Sequence, residues 1–187
     1  MIYFPNAKIN LGLNVIRRRP DGYHDLLTVM VPVMWRDVLE VVPARGESTT
    51  ITVTGRGVQC PPEKNLAIKA FRALESEVGP LPPVDFYLEK IIPDGAGLGG
   101  GSADASFALK AVDGLLQLNL GNERLEKVAA RVGADCPFFI ADRPAMCTGT
   151  GTEMAPIEIP SLAGYSIAIA KRSGDSVSTA AAYGAVT

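Results

Sequence analysis

Five glycines lie close together in one stretch of the chain, and their spacing favours the binding of a phosphate group. Glycine adopts positive φ angles at little steric cost and lets a ligand approach the main chain. Apolar residues after the stretch recur at helical spacing, so the glycines would lead into a helix N-terminus, which attracts anions. The sequence thus predicts a phosphate-binding loop in Pro93-Asp94-Gly95-Ala96-Gly97-Leu98-Gly99-Gly100-Gly101-Ser102-Ala103.

Three other interpretations of this loop are weaker. A flexible linker is disfavoured because both flanks are strongly patterned. Gly95, Gly97 and Gly100 satisfy the dinucleotide pattern G-x-G-x-x-G, which would instead predict an NAD-binding oxidoreductase. That fold needs an acidic residue at the end of a second strand about 20 residues further on, and Asp113 falls inside the predicted helix. A Walker loop would end in Gly-Lys-Ser/Thr, which this glycine run lacks.

Phosphoryl transfer to an alcohol needs, besides a phosphate loop, a carboxylate that takes the hydroxyl proton and a cation near the developing charge. Asp135 is the best carboxylate candidate, because small residues precede it and Pro137-Phe138-Phe139 follow it closely. It could equally be the N-cap of a short helix, a position that favours Asp. Lys8 is the best cation candidate, with an ordinary solvated lysine as the alternative.

Tyr23 and His24 follow the turn Pro20-Asp21-Gly22, and His24 is the only histidine of the chain. A Tyr-His pair can clamp a planar ring by stacking and by a hydrogen bond to the ring edge. A lone histidine can instead be a hydrogen-bonded structural residue. Asn65 is predicted first of all as a helix N-cap.

The elements that would position these residues follow from periodicity. Alternating residues from Ala7 to Val15 predict a strand with one buried face, with Lys8 and Asn10 together on the other. Strands are expected over residues 26–34, 38–42, 50–54, 84–92 and 165–171, with a glycine-broken strand over 145–154. Helices are expected over 66–78 and 105–116, from an N-cap at Asn122, and over 177–183. This order predicts an α+β fold with a largely antiparallel sheet covered on one face by helices.

Composition limits the class of protein. The 187 residues are 47% hydrophobic and 20% charged, which suffices for one large domain or for one domain and part of another. A net charge of −2 argues against a nucleic-acid partner, and no apolar run is long enough to span a membrane. Polar residues near the N-terminus argue against a signal peptide. The three cysteines, Cys60, Cys136 and Cys147, suggest reduced thiols in the cytoplasm rather than disulfides or a zinc site.

Four motifs occur in the order and spacing of one known family. They are Pro5-Asn6-Ala7-Lys8-Ile9-Asn10-Leu11, Asp21-Gly22-Tyr23-His24, the glycine stretch up to Ser106, and Gly133-Ala134-Asp135-Cys136-Pro137-Phe138. The chain resembles, over essentially its whole length, the 4-diphosphocytidyl-2-C-methyl-D-erythritol kinases of the GHMP kinase superfamily. The glycine loop alone indicates the superfamily, whereas the second and fourth motifs point to this family. A homoserine or mevalonate kinase of the superfamily has no reason to carry Tyr23-His24 after the turn.

The resemblance implies an ATP-dependent transfer to the 2-hydroxyl of a small-molecule acceptor, a cytidine diphosphate sugar alcohol of the non-mevalonate isoprenoid pathway. It assigns Asp135 as the catalytic base and Lys8 as the residue that orients or polarises the Asp135–hydroxyl pair. Tyr23 and His24 would hold the cytosine, and Asn10 would lie near the acceptor.

The same resemblance places ATP and Mg²⁺ at the glycine stretch. Main-chain groups between Gly95 and Ser102 would cradle the phosphates, and Ser102 is the one candidate metal ligand. Asn65 and Lys90 match positions near the adenosine. The residues so assigned to ATP are Pro93, Asp94, Gly95, Ala96, Gly97, Leu98, Gly99, Gly100, Gly101, Ser102, Ala103, Asn65 and Lys90.

The implied fold is a ribosomal-S5-like first domain over residues 1–155, with residues 156–187 beginning a ferredoxin-like second domain that stays incomplete. Two departures from the family stand out. Many members carry a second serine where this chain has Ala103, and family members are longer, with a further glycine-rich motif. A truncated, inactive fragment or a non-catalytic nucleotide-binding module is therefore the alternative to an active kinase.

Overall fold

The computed structural model describes residues 1–56, 60–162 and 164–170. Its strands and α-helices are, in chain order, β1 (Ile2–Tyr3), β2 (Asn6–Arg18), β3 (His24–Arg36), β4 (Val38–Pro43), β5 (Thr50–Gly55), α1 (Leu66–Val78), β6 (Val84–Lys90), α2 (Gly100–Leu115), α3 (Gly121–Ala130), α4 (Cys136–Ala141), β7 (Ala145–Thr148) and β8 (Glu153–Pro156). Short 3-10 turns cover Pro62–Lys64 and Pro160–Leu162. None of the described helices combines the length and hydrophobicity that crossing a bilayer requires.

The strands of the described residues form two four-stranded sheets rather than the one sheet that the sequence suggests. The first sheet has the order β1-β4-β6-β5 and the second β2-β3-β7-β8. Strands β5 and β6 pair in parallel, and the other neighbours pair in antiparallel fashion. The α+β class and the largely antiparallel pairing are therefore confirmed. The separation into two sheets arises because β3 and β4, although consecutive, are not hydrogen-bonded neighbours.

The main core lies between the first sheet and the helices. Alternate side chains of β4 and β6 point inward, and α1 and α2 lay their apolar sides against them, as the period of each element dictates. The largest fully buried side chains of this core are Phe71, Phe86, Phe138, Phe139, Leu39, Leu74, Leu88 and Leu109. Helix α4 therefore packs into the same core as α2, which fixes the residue before α4 relative to the start of α2.

Strand β2 does not keep the single buried face that its alternation predicts. Leu11 pairs with Val29 and Leu13 pairs with Thr28, so Gly12, with φ of +70°, is an extra residue in a β-bulge. Beyond such a bulge the alternation is inverted. Leu11 and Leu13 consequently lie on opposite faces, and they are 36% and 44% exposed.

Three further predictions are corrected by the structure. Residues 165–170 of the predicted strand 165–171 have no regular structure, and no strand among the described residues pairs with them. Helix α3 begins at Gly121 with Leu120 as its N-cap, so Asn122 is not the cap. The strand 145–154 is two strands, β7 and β8, joined by a glycine-rich turn. The predicted helix 177–183, and with it most of the second domain, lies outside the described residues.

Candidate active site

The ammonium of Lys8 and the carboxylate of Asp135 lie 3.3 Å apart, as Nζ to Oδ2. Lys8 is carried by β2 and is only 6% exposed, so it is not the solvated lysine that composition alone would suggest. The Asp135 side chain is 34% exposed and can therefore be reached by a bound molecule. The two residues form a partly buried ion pair with one open side.

Asp135 stands immediately before α4, at the N-cap position that the sequence allowed for it. Its side chain makes no capping hydrogen bond, and its backbone is helical, with φ of −82° and ψ of −14°. The carboxylate is thus directed to Lys8 instead of to the helix. Of the two interpretations left open by the sequence, the geometry favours the one in which Asp135 faces Lys8.

A chain of hydrogen bonds fixes the Lys8 ammonium from its other side. Lys8 Nζ donates to Asn10 Oδ1 at 2.7 Å, and Asn10 Nδ2 donates to Thr28 Oγ1 at 2.8 Å. The Thr28 hydroxyl donates in turn to the carbonyl of Gly12 at 2.8 Å, within the β-bulge. The prediction that Lys8 and Asn10 share one face of β2 is confirmed, and the bulge supplies the acceptor that ends the chain of bonds.

The glycine stretch forms a loop between β6 and α2, as predicted. Gly95, Gly97 and Gly99 have φ angles of +61°, +71° and +70°, a left-handed conformation that glycine adopts most readily. Helix α2 starts directly after Gly99, so the first N–H groups of a 16-residue helix lie at the end of the loop. An added Cβ on Gly97 would meet no other heavy atom within 4 Å. The loop therefore has open space next to its main chain.

A backbone hydrogen bond attaches the loop to β2, the strand that carries Lys8. The backbone N–H of Lys8 donates to the Leu98 carbonyl at 2.9 Å. A Cβ on Gly99 would lie 3.1 Å from Lys8 Cγ and 2.9 Å from Phe139 Cζ, so glycine is required there by close packing as well as by φ. The predicted phosphate loop and the predicted catalytic pair are hence one site, built from β2, α2 and the turn before α4.

A residue that the sequence did not single out, Ser106 of α2, ties this turn to the loop helix. Its hydroxyl lies 2.7 Å from the Cys136 carbonyl oxygen and 2.9 Å from the Ser102 carbonyl oxygen.

Burial raises the pKa of the Cys136 thiol to about 11, so this thiol stays protonated near neutral pH and is no nucleophile. All three cysteines are free thiols.

The remaining predicted residues lie around this centre at different depths. His24 is the first residue of β3, and Tyr23 precedes it and is 66% exposed. Asn65 is the N-cap of α1, and its side-chain oxygen accepts a hydrogen bond from Ala67 N, which confirms the capping prediction. Lys90 is 5% exposed and its ammonium is paired with Asp37 and Asp104, so it lies beneath the loop and not on its open side.

The fold and the loop define a class of protein. The family model of the GHMP kinases N terminal domain matches residues 65–143, which include the glycine loop and Asp135. A crystal structure of 4-(cytidine 5'-diphospho)-2C-methyl-D-erythritol kinase superposes with a TM-score of 0.71 at 38% identity, covering 86% of this chain and 56% of that one. The mevalonate kinase of Methanococcus jannaschii, at 12% identity and a TM-score of 0.65, shares the fold.

Curated relatives narrow the class further. The chain is 49% identical over its full length to the 4-diphosphocytidyl-2-C-methyl-D-erythritol kinase of Parabacteroides distasonis and covers 67% of it. It is 48% identical to the Bacteroides fragilis enzyme of the same name over 91% of the chain and 62% of the relative. The chain belongs to the 4-diphosphocytidyl-2-C-methyl-D-erythritol kinase family, and it spans about two thirds of the length of these relatives.

Proposed function

We propose that this chain provides the ATP site and the catalytic pair of a kinase that phosphorylates the 2-hydroxyl of 4-diphosphocytidyl-2-C-methyl-D-erythritol, in non-mevalonate isoprenoid synthesis. The observation that carries the proposal is the ion pair of Lys8 and Asp135 directly beside the glycine loop. A phosphate loop alone only binds, whereas a loop with an accessible carboxylate and a held ammonium can transfer a phosphoryl group. The names of the relatives supply the acceptor.

In this proposal the phosphates of ATP bind to main-chain N–H groups of the loop and of the first turn of α2. The open space beside Gly97 accommodates a phosphate, and the positive end of the α2 dipole favours its charge. Asn65 and the turn before α1 would lie toward the adenosine. Close packing at Gly99 keeps the loop fixed against β2 while the ligand occupies its open side.

Asp135 then acts as the general base. Its carboxylate accepts the proton of the acceptor hydroxyl while the hydroxyl oxygen bonds to the γ-phosphorus and the bond from that phosphorus to ADP breaks. The Lys8 ammonium holds the carboxylate in place and partly compensates the negative charge at the reacting oxygens. Asn10, fixed by Thr28, holds the ammonium toward Asp135.

Magnesium fits this arrangement as an ion that enters with ATP. Mg²⁺ in kinases is bound largely through the substrate phosphates and one or two protein oxygens, and it neutralises phosphate charge. The Ser102 hydroxyl, in the first turn of α2, is the candidate protein ligand. Ala103 is fully buried and supplies no hydroxyl, so Ser102 would act without a second serine beside it.

The acceptor would extend along β3. Tyr23 and His24 lie at one end of this strand and are proposed to hold the cytosine ring. Thr28, which supports Asn10, lies four residues further on, about 13 Å along the strand. The cytidine and the hydroxyl to be phosphorylated, the two ends of one extended molecule, would thus lie along a single strand.

A transfer assay tests the proposal. The complete protein is incubated with γ-labelled ATP and Mg²⁺ and, in parallel, with 4-diphosphocytidyl-2-C-methyl-D-erythritol, homoserine or mevalonate. Label is expected in the first acceptor only. Label in homoserine or mevalonate would identify a different GHMP kinase, and ATP binding without transfer to any acceptor would identify a non-catalytic nucleotide-binding module.

We also propose a domain boundary near residue 155 and a cytoplasmic location. A domain boundary near residue 155 is supported by β8, which closes the second sheet at Pro156. A cytoplasmic location is supported by the reduced thiols.

A further inference from the structure

A buried ionic cluster lies beneath the glycine loop and takes no part in the mechanism above. Lys90 Nζ donates to Asp37 Oδ2 at 2.5 Å and to Asp104 Oδ2 at 2.6 Å. All three residues are buried, and the Asp37 side chain is completely so. We call these three residues the loop clamp.

The loop clamp connects the segments on either side of the glycine loop. Lys90 is the last residue of β6, before the loop, and Asp104 lies in α2, after it. Asp37, between β3 and β4, also accepts hydrogen bonds from the backbone N–H groups of Ile91 and Ile92, at 2.5 and 2.8 Å. The strand before the loop and the helix after it are therefore joined through the Lys90 ammonium.

The clamp also limits the space under the loop. A Cβ on Gly100 would lie 3.4 Å from Lys90 Nζ and 3.0 Å from Ile92 Cγ2. Gly100, the first residue of α2, thus packs directly against Ile92, whose backbone N–H donates to Asp37. A displacement of Lys90 or Ile92 would be transmitted to the start of the helix, where the phosphate is proposed to bind.

Stability alone is a poor explanation for such a cluster. The desolvation of buried charges costs about as much as their mutual attraction returns, and apolar replacements are often no less stable. In some proteins, buried polar or ionic groups are retained because they fix one arrangement of the chain. Because this cluster joins the two ends of the glycine loop, the arrangement that it fixes is the conformation of that loop.

We propose that Asp37, Lys90 and Asp104 are positioning residues that hold the glycine loop in its phosphate-binding conformation. The proposal rests on the proposed function, since it takes ATP as the ligand of the loop. It assigns Lys90, whose ammonium is held by two carboxylates, a role beneath the loop instead of contact with the adenosine. Loss of the clamp would lower the fraction of molecules with a competent loop, and the apparent affinity for ATP would fall by that fraction.

A matched pair of variants tests the clamp. Asp37→Asn places an amide against the Lys90 ammonium, whereas Asp85→Asn makes the same change in another buried aspartate at the far end of β6. Asp85 accepts hydrogen bonds from Arg45 N and Thr50 Oγ1 and lies about 16 Å from Lys90 along the strand. The chain is studied by hydrogen–deuterium exchange over residues 91–103, with α1 as the internal reference, and by equilibrium binding of ATP.

Asp37→Asn is expected to accelerate exchange in residues 91–103 more than in α1 and to weaken ATP binding by about tenfold, as for a loop that is competent a tenth of the time. Asp85→Asn is expected to leave both unchanged relative to α1. Equal acceleration in the loop and in α1, with unchanged ATP affinity of the folded protein, would show a merely structural cluster and overturn the proposal.

Asp104→Asn decides the question if Asp37→Asn does not fold, because it keeps the shape of the side chain but removes the negative charge that attracts the Lys90 ammonium. Its exchange should again rise selectively in residues 91–103, and exchange like that of the parent chain would overturn the clamp. If the parent chain does not bind ATP but the selective exchange is observed, the clamp stands and the proposed function fails. If the parent chain binds ATP but loop exchange is unaltered in the variant, the clamp fails and the proposed function stands.

Discussion

Lys8 and Asp135 come from opposite parts of the sequence and meet at 3.3 Å, next to the glycine loop. Burial of a lysine ammonium is costly unless a partner compensates its charge. Here the compensation comes from a carboxylate that is itself one-third exposed, on the side where a substrate can approach. The pair thus combines a buried charge with a group that remains available for proton transfer, which is the arrangement a kinase needs for an alcohol acceptor.

The first prediction concerns Gly97. Gly97→Val should abolish ATP binding while the circular dichroism stays nearly unchanged, because the new side chain would occupy the space beside the loop main chain. Gly121→Val is the matched control, since Gly121 has a φ of +73° and equally open surroundings but starts α3. Unaltered ATP affinity in a folded Gly97→Val protein would exclude this loop as the phosphate site.

The second prediction concerns the acceptor end of the site. His24→Ala should raise KM for the cytidine acceptor by a few-fold to about tenfold, the value of one hydrogen bond, and should leave kcat nearly constant. Steady-state kinetics with varied acceptor at saturating ATP measures both constants. An equal fall of kcat and kcat/KM would instead assign His24 an interaction that forms only in the transition state.

The third prediction concerns Thr28, which supports Asn10 and thereby Lys8. Thr28→Val removes the hydroxyl and leaves the Asn10 amide and the Gly12 carbonyl without this partner, so kcat should fall while KM for ATP stays constant. Thr50→Val is the control for loss of a side-chain hydroxyl, because Thr50 donates a hydrogen bond to Asp85 at an exposed position away from the site. Equal kcat values for both variants would show that the Thr28 bond does not position Lys8.

Local sequence patterns predict the strand, the glycine loop and the helix of the site. They do not predict the contacts with distant segments that hold the loop in place. The strand, the glycine run and the helix follow one another in sequence, so periodicity and glycine content predict β6, the loop and α2 together. The common face of Lys8 and Asn10 follows from alternation in the same way. These predictions need no knowledge of which segments meet in space.

The contacts that assemble the site join residues that are far apart in the sequence. Nothing local indicates that Lys8 faces Asp135, and family resemblance supplied that pairing. The bulge at Gly12 depends on the register between β2 and β3, which alternation in one strand cannot reveal. Lys90 matched an adenosine position by resemblance, yet the structure buries it between Asp37 and Asp104, two carboxylates that no sequence signal linked to it.

The fourth prediction uses the pH dependence of stability. Burial raises the pKa of Asp104 from 3.8 to about 7, so the folded state binds a proton more tightly than the unfolded state. Stability from this group is complete below about pH 4 and is lost as the pH rises toward 7. Asp104→Asn removes this titration. The unfolding free energy of the parent minus that of the variant should therefore decrease from pH 4 to pH 7 in denaturant titrations. A difference independent of pH would contradict the raised pKa of Asp104.

Asp135→Asn tests the central claim most directly, because it preserves the shape of the side chain and removes its ability to accept a proton. The measurement is turnover of the complete protein with γ-labelled ATP and 4-diphosphocytidyl-2-C-methyl-D-erythritol, beside equilibrium binding of ATP. Turnover is expected to fall by roughly 10²–10⁴ while ATP still binds with similar affinity. Turnover within a few-fold of the parent protein would show that Asp135 is not the base and would contradict the proposed mechanism.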